Sequence, residues 1–495
     1  MDFNQRTYLI NLNKIILLIK NISRFGYGCY RVNDLVEDHY NSLKKALLSG
    51  INVIDTSANY SDGGSEKLVG KVIHDLIREQ KINREDITLV TKGGYIQGQN
   101  LTVARERIKN GKPFSDVFEF NEKLWHCISP DFLEDQFERQ FGRLGLNYAD
   151  TYLLHNPEYS LSFRSNGDTA LEETRKAFYE RIRKAFVFLE EKVRQGLIGS
   201  YGVSSNTFTS YKDSTEFVSL ERCIEIAEEI SENNHFDSVQ FPLNLFESGA
   251  VSILNNSGGT KSVLDLAYEK KMRVYINRPL NAVTSTGLVR LADFKAEEFK
   301  EKDFIRQLEL VKNMESDLAD EKLPAAGFDD DELLPLAKIL STGKLIEENW
   351  KFFGSIEHFN DMIMQVYSPR LVKIIDAVNA KEDNEHLKSS VGKYIAEAHR
   401  LMSFVSNYYK LRAEKRNVFI NKLINEKLDP HYHNLPLAQK ALLLTSSAKG
   451  VDCVLLGMRK MQYVDDALAV NGMEKITNAE EILKYVSSEL LNVKT

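Results

Sequence analysis

The sequence predicts a (β/α)8 barrel. Three observations carry this. Eight short β-type runs can be picked out along the 495 residues. Helix-type patterns separate most of them. No Gly-x-Gly-x-x-Gly stands at a strand-to-helix turn, which counts against the alternative of an open doubly wound sheet.

The runs are Ile22 to Gly28, Asn52 to Asp55, Ile87 to Lys92, Asp150 to His155, Ile198 to Ser204, Phe236 to Phe241, Arg273 to Arg278 and Asp452 to Gly457. Val53 and Ile54 are β-branched and suit a buried strand. Tyr40 to Leu48 has apolar residues at helical spacing and stops at Gly50. Ser65 to Glu79 repeats the pattern with Leu68, Val69, Val72 and Leu76 on one stripe. Phe132 to Leu144 and Thr174 to Arg194 do the same, the second stopping at Gly196. A further helix is expected over Leu435 to Ala448, before the last run.

Two segments exceed what a barrel needs. Tyr95 to Asn121 is a polar connection long enough to suggest a lid. The region 284–428 carries two apolar stripes of helical period. One is Phe304, Leu308, Val311, Glu315 and Leu318; the other is Leu387, Val391, Ile395, Ala398, Met402 and Val405. Pro369 separates two apolar stretches between them. This reads as a helical insertion after the seventh strand, a lid or an interface, dividing a barrel of 1–283 and 429–495.

Hydrophobic content of 43% and charged content of 27% are those of a globular protein. A net charge of -7 gives no basic field for nucleic acid. Cys29, Cys127, Cys223 and Cys453 are scattered and show no metal-ligand spacing, so a reduced cytoplasmic chain is expected. No apolar run reaches the ~20 residues of a membrane span. Tyr8 to Ile22 lacks a cationic start and a small-residue cleavage site, so short strands are expected there rather than a signal peptide. His431 and His433 have no clustered partner for a metal.

Asp55 closes an apolar strand, where a carboxylate needs a partner. Tyr60 follows in a polar Ser/Asn/Asp/Gly loop. Lys92 and His155 end two other strands. In a barrel all four fall at the C-terminal mouth. Asp55 can pair with Lys92, whose cation would favour a phenolate at Tyr60. His155 can hydrogen-bond a substrate oxygen.

At these residues the sequence resembles the aldo-keto reductases, whose tetrad is Asp, Tyr, Lys and His in this order. Gly63-Gly64-Ser65-Glu66, with Leu68 and Gly70, is similar to the segment after the family's tyrosine. The resemblance implies Asp55, Tyr60, Lys92 and His155 as catalytic residues, with Tyr60 as proton donor. It implies a nicotinamide carboxamide held by Ser204, by Ser205 or Asn206, and by Gln240. Pro279-Leu280 resembles the family's pyrophosphate segment. Asn277 stands where many members carry a ring-stacking Tyr, and Arg278 is either a phosphate contact or a barrel-wall ion pair. Gly457-Met458-Arg459, with Gln462, Asp465 and Asp466, looks like the family's last strand and following helix, and Gly28 and Asp55 complete the cofactor-binding set. Arg459 suits a 2′-phosphate, so NADP(H) is preferred to NAD(H). No metal is expected. The implied activity is reduction of an aldehyde, ketone or sugar carbonyl, or the reverse oxidation of an alcohol. The second reading is a slow, cofactor-sensing subunit whose insertion docks a partner. The expected partners are a small carbonyl or alcohol substrate and, through the insertion, a further copy; no nucleic acid or membrane is expected.

Overall fold

The structure, a computed structural model, describes residues 21–164, 171–284, 287–292, 296–381 and 384–492. The strands expected over Tyr8 to Ile22 fall almost entirely outside these residues. Eight strands close into a barrel: β1 (Phe25–Gly28), β2 (Val53–Asp55), β3 (Thr88–Gly93), β4 (Ala149–His155), β5 (Ile198–Ser204), β6 (Phe236–Pro242), β7 (Arg273–Asn277) and β8 (Cys453–Leu456). Each pairs in parallel with its neighbours in sequence, and β8 returns to β1. All eight expected runs are therefore barrel strands.

The barrel helices are α1 (Glu37–Leu48), α2 (Gly64–Arg78), α3 (Pro130–Leu144), α4 (Leu171–Arg194), α5 (Leu220–Ile230), α6 (Val263–Glu269), α7 (Leu437–Ser447) and α8 (Met461–Asn471). In α2 the stripe Leu68, Val69, Val72, Ile73 and Leu76 is fully buried, as its period requires. The interior of the barrel is filled by Val53, Val90, Leu153, Tyr275, Cys453 and Leu455. Gly202 lets β5 approach β6 closely. A Cβ there would stand 1.9 Å from the Ser238 carbonyl oxygen, far inside contact distance.

Register sets the height of the site. Gly28 pairs with Asp55, His155 with Ser204, and Ser204 with Gln240. The strand ends therefore stand level at one mouth. The connection after β3 is not an unstructured loop. It holds a helix, Gly98–Lys109, and a small antiparallel sheet of Tyr95–Ile96, Leu124–His126 and Phe118–Asn121.

The chain divides into two compact units, 1–280 with 439–495, and 281–438. The second opens on a hairpin of Asn281–Thr284 and Gly287–Arg290 and continues as helices, the longest being Glu385–Asn425. It has its own core of Phe304, Leu308, Val311, Phe359, Tyr394, Leu401 and Val405, among others. Both apolar stripes of the sequence point into it. Pro369 does not break the helix; the chain stays helical from Ile356 to Asn379, and a π-helical turn, Ile363–Tyr367, lies just before the proline.

Candidate active site

Asp55 ends β2 and Lys92 lies near the end of β3. Both are almost completely buried, and the Lys92 ammonium is hydrogen-bonded to Asp55 Oδ1. Taking two charges out of water is costly unless each is answered. Here Gln240 Nε2 adds a second bond to the same oxygen at 2.9 Å. Ser204 Oγ in turn donates to Gln240 Oε1 at 2.9 Å. Two further strands thus meet on one carboxylate, and a third supports the glutamine.

Tyr60 sits in a turn after β2 and is buried. Ser61, Asp62 and Gly63 follow it with φ of 49°, 52° and 84°, three residues in the left-handed region that costs L side chains energy. Asp62 holds this turn by accepting from the Gln99 N–H at 2.9 Å. The Lys92 ammonium lies 5.1 Å from the Tyr60 ring centroid. The imidazole of His155 meets the same ring edge-on at 5.8 Å. The four residues expected at the mouth are thus brought together.

Their protonation follows from burial. Burial, with the Asp55 carboxylate next, pushes the Tyr60 phenol well above its usual range. The expected lowering by Lys92 does not prevail, because burial outweighs it. Burial lowers Lys92 itself, against the raising effect of Asp55. Burial, then Lys92 and His126, hold His155 well below the usual imidazole range. The resting site presents a neutral phenol beside a neutral imidazole.

Side chains behind these residues fix this geometry. Gln140 of α3 donates to the Lys92 carbonyl at 3.0 Å and to Glu66 at 2.9 Å. Arg143 answers the buried Glu66 at 2.6 Å. The Gly63-Gly64-Ser65-Glu66 motif therefore anchors the strand that carries Lys92. His126 Nε2 bonds the His155 carbonyl at 2.8 Å, and burial lowers that imidazole to about 4. Tyr95 packs edge-on against His155 at 4.7 Å, and Tyr159 packs against Tyr95 at 5.4 Å.

Of the expected carboxamide residues, Ser204 and Gln240 lie side by side at adjacent strand ends and offer a hydroxyl and an amide. Ser205 is fully buried and turned to the Thr207 hydroxyl at 3.2 Å. The backbone N–H of Asn206 is held by Glu158 Oε1 at 2.9 Å. Glu158 Oε2 is buried without a hydrogen bond, and so are Asn277 Oδ1 and Arg278 Nε at the end of β7. A ring of strand ends with these donors and acceptors fits the amide and phosphate edges of a nicotinamide nucleotide. Arg278 also forms an ion pair with Glu247 at 2.8 Å and has φ of 51°. Pro279 is buried and Leu280 half-buried. Gly28 of β1 and Asp55 of β2 stand in register; just past β8, Met458 is buried, and Gly457 and Gln462 are exposed. Arg459 precedes α8, Asp465 pairs with Lys45 at 2.5 Å, and Asp466 lies one residue on.

Sequence reasoning missed Ser57, Tyr95, His126 and Glu158. None has a periodic or motif signal; only nearness in sequence to Asp55 or His155 marked Ser57 and Glu158. Among the described residues no cluster of His, Cys, Asp or Glu could hold a metal. His433 instead bonds the Leu428 carbonyl at 2.8 Å. No described helix is long and apolar enough to cross a membrane.

A sequence model of the Aldo/keto reductase family matches residues 25–227. An NADH-specific methylglyoxal reductase of Escherichia coli (strain K12) is 28% identical over 114 residues, 23% of this chain and 29% of that protein. An uncharacterised oxidoreductase of Bacillus subtilis (strain 168) is 26% identical over 203 residues, 40% of this chain and 51% of that protein. A solved glycerol dehydrogenase from Gluconobacter oxydans is similar with a TM-score of 0.45 at 16% identity, over 95% of this chain and 92% of that one. The chain spans about half, or less, of the length of the first curated relatives it matches. Residues 25–227, which carry β1 to β5, are similar to the aldo/keto reductase family.

Proposed function

We propose that the protein is an NAD(P)H-dependent oxidoreductase that reduces an aldehyde, ketone or sugar carbonyl, or runs the reverse oxidation. One observation carries this reading: a buried Lys–Asp pair, a protonated tyrosine and a neutral histidine meet at a single barrel mouth. A bound nicotinamide would supply the hydride. Ser204 and Gln240 would hold its carboxamide, with Asn206 as a third contact, while Pro279, Leu280 and Arg459 would meet its phosphates. Arg459 makes NADP(H) the preferred form.

The substrate oxygen sits between Tyr60 and His155. As the carbonyl carbon is reduced, negative charge grows on that oxygen, and Tyr60 gives it the phenolic proton. Lys92 stabilises the phenolate that remains, and Asp55 keeps the ammonium in place. A phenol held neutral is the form that can donate its proton. Proton donation by a positioned group contributes roughly 10² to 10⁴-fold. The helical unit 281–438 is proposed as the part that adapts the barrel to its own substrate. Removing 284–428 would then change substrate preference; unchanged preference with a changed oligomeric state would contradict this.

The test is a steady-state screen of purified protein with NADPH and NADH across aldehydes, ketones and sugars. Consumption of cofactor on at least one, with NADPH the better donor, is expected. Tight nucleotide binding with no turnover on any of them would contradict the reading.

A further inference from the structure

Glu158 lies three residues after His155 in the loop that follows β4, and it is 4% exposed. The proposed chemistry gives it no part. Its Oε1 accepts from the backbone N–H of Asn206 at 2.9 Å. That bond ties the loop carrying His155 to the loop carrying Ser205 and Asn206. The Ser205 hydroxyl lies beside the same carboxyl and is turned to Thr207 at 3.2 Å. Glu158 Oε2 is buried with no hydrogen bond.

A carboxylate with one unanswered buried oxygen is costly as an ion. Burial raises this carboxyl to about 7, against the N–H groups that favour the charged form. Near neutral pH it is therefore present in both forms. Other titratable groups stand on the elements round it. Glu216, on the loop after β5, accepts from the Ser162 hydroxyl at 2.7 Å. Tyr95 and Tyr159 pack edge to face beyond it, with His155 against Tyr95 and His126 stacked on Tyr159. Burial holds His126 at about 4 and His155 well below its usual range, and lifts Tyr95 well above its own. Those three do not change charge near pH 7; Glu158 does.

The next step rests on the reading that Ser205 or Asn206, with Ser204 and Gln240, holds a nicotinamide carboxamide. A nicotinamide ring is cationic when oxidised and neutral when reduced. A charge buried directly behind the residues that hold the ring is poorly screened by solvent. We propose that Glu158 is a positioning residue that fixes the Asn206 loop and, when ionised, makes the site favour the oxidised nucleotide. Protonation removes the bias. The coupling is reciprocal. Glu158 gives up its proton more readily beside the oxidised nucleotide than beside the reduced one. The site is thus a pH-dependent selector of cofactor redox state, turning toward the oxidised form as pH rises.

The experiment is fluorescence titration of the full chain with NADPH, and displacement of NADPH by NADP⁺, at about pH 6 and about pH 8. In the parent, the NADPH Kd divided by the NADP⁺ Kd should rise about five-fold over this range. The 2′-phosphate is common to both nucleotides and drops out of the ratio. Glu158→Gln should hold the ratio flat and keep NADPH affinity near the parent's, because its amide oxygen still accepts from the Asn206 N–H. Glu158→Ala should bind NADPH about ten-fold more weakly, since that N–H loses its acceptor.

A parent ratio that does not move with pH overturns the proposal, and so does a Glu158→Gln ratio that moves as the parent's does. Glu158→Ala binding as tightly as the parent overturns the positioning role. Failure of the parent to bind either nucleotide overturns the proposed function together with this inference. Nucleotide binding with a flat ratio overturns this inference alone.

Discussion

The side-chain amide of Gln240 donates to Asp55 Oδ1 at 2.9 Å, the same oxygen that carries the Lys92 ammonium. One carboxylate atom thus ties β6 to β2 and β3. The arrangement answers the charge on Asp55 twice.

Breaking this pair by one partner should be costly. Asp55→Asn leaves a buried ammonium without its counter-charge, and Lys92→Met leaves a buried carboxylate. Each is expected to lose about 3 to 5 kcal/mol in urea unfolding. The double variant should lose less than the sum, because no uncompensated charge remains. Strict additivity would show that the two groups do not interact.

Glu158 gives a pH signature. Burial, with Glu216 adding to it, raises this carboxyl from the ordinary range to about 7. The folded state therefore holds a proton that the unfolded state has released. Stability from this group is greatest below the ordinary carboxylate range and is lost as pH rises through about 7. Glu158→Gln should match the parent near pH 4 and exceed it near pH 8, by no more than about 3 kcal/mol. Melting curves across that range check it; a parent–variant difference independent of pH contradicts it.

Gly202 tests the packing of the barrel. Gly202→Ala would push a methyl into the Ser238 carbonyl, and strand separation is the only relief. A loss of at least about 3 kcal/mol, or failure to fold, is expected. A variant as stable as the parent would contradict the close approach of β5 to β6.

The barrel was legible because its signals are local. β-branched runs such as Val53-Ile54 and stripes such as Leu68, Val69, Val72 and Leu76 announce strands and helices without reference to the rest of the chain. The four side chains at the mouth were legible because each sits at or just past a strand end. Ser57, Tyr95, His126 and Glu158 were not, since their roles depend on partners 29 to 98 residues away, as in the His126–His155 and Ser57–His155 bonds. The direction of the Tyr60 shift was also hidden. A nearby lysine suggests a lowered phenol, and only the geometry reveals that burial outweighs it.

The central claim is that Tyr60 supplies the proton. The most direct measurement is the turnover of Tyr60→Phe on the best carbonyl of the panel, beside its cofactor affinity by fluorescence titration. The account predicts a fall in kcat of about 10² to 10⁴-fold with cofactor affinity nearly unchanged. Carbonyl reduction at the parent rate in that variant would contradict it.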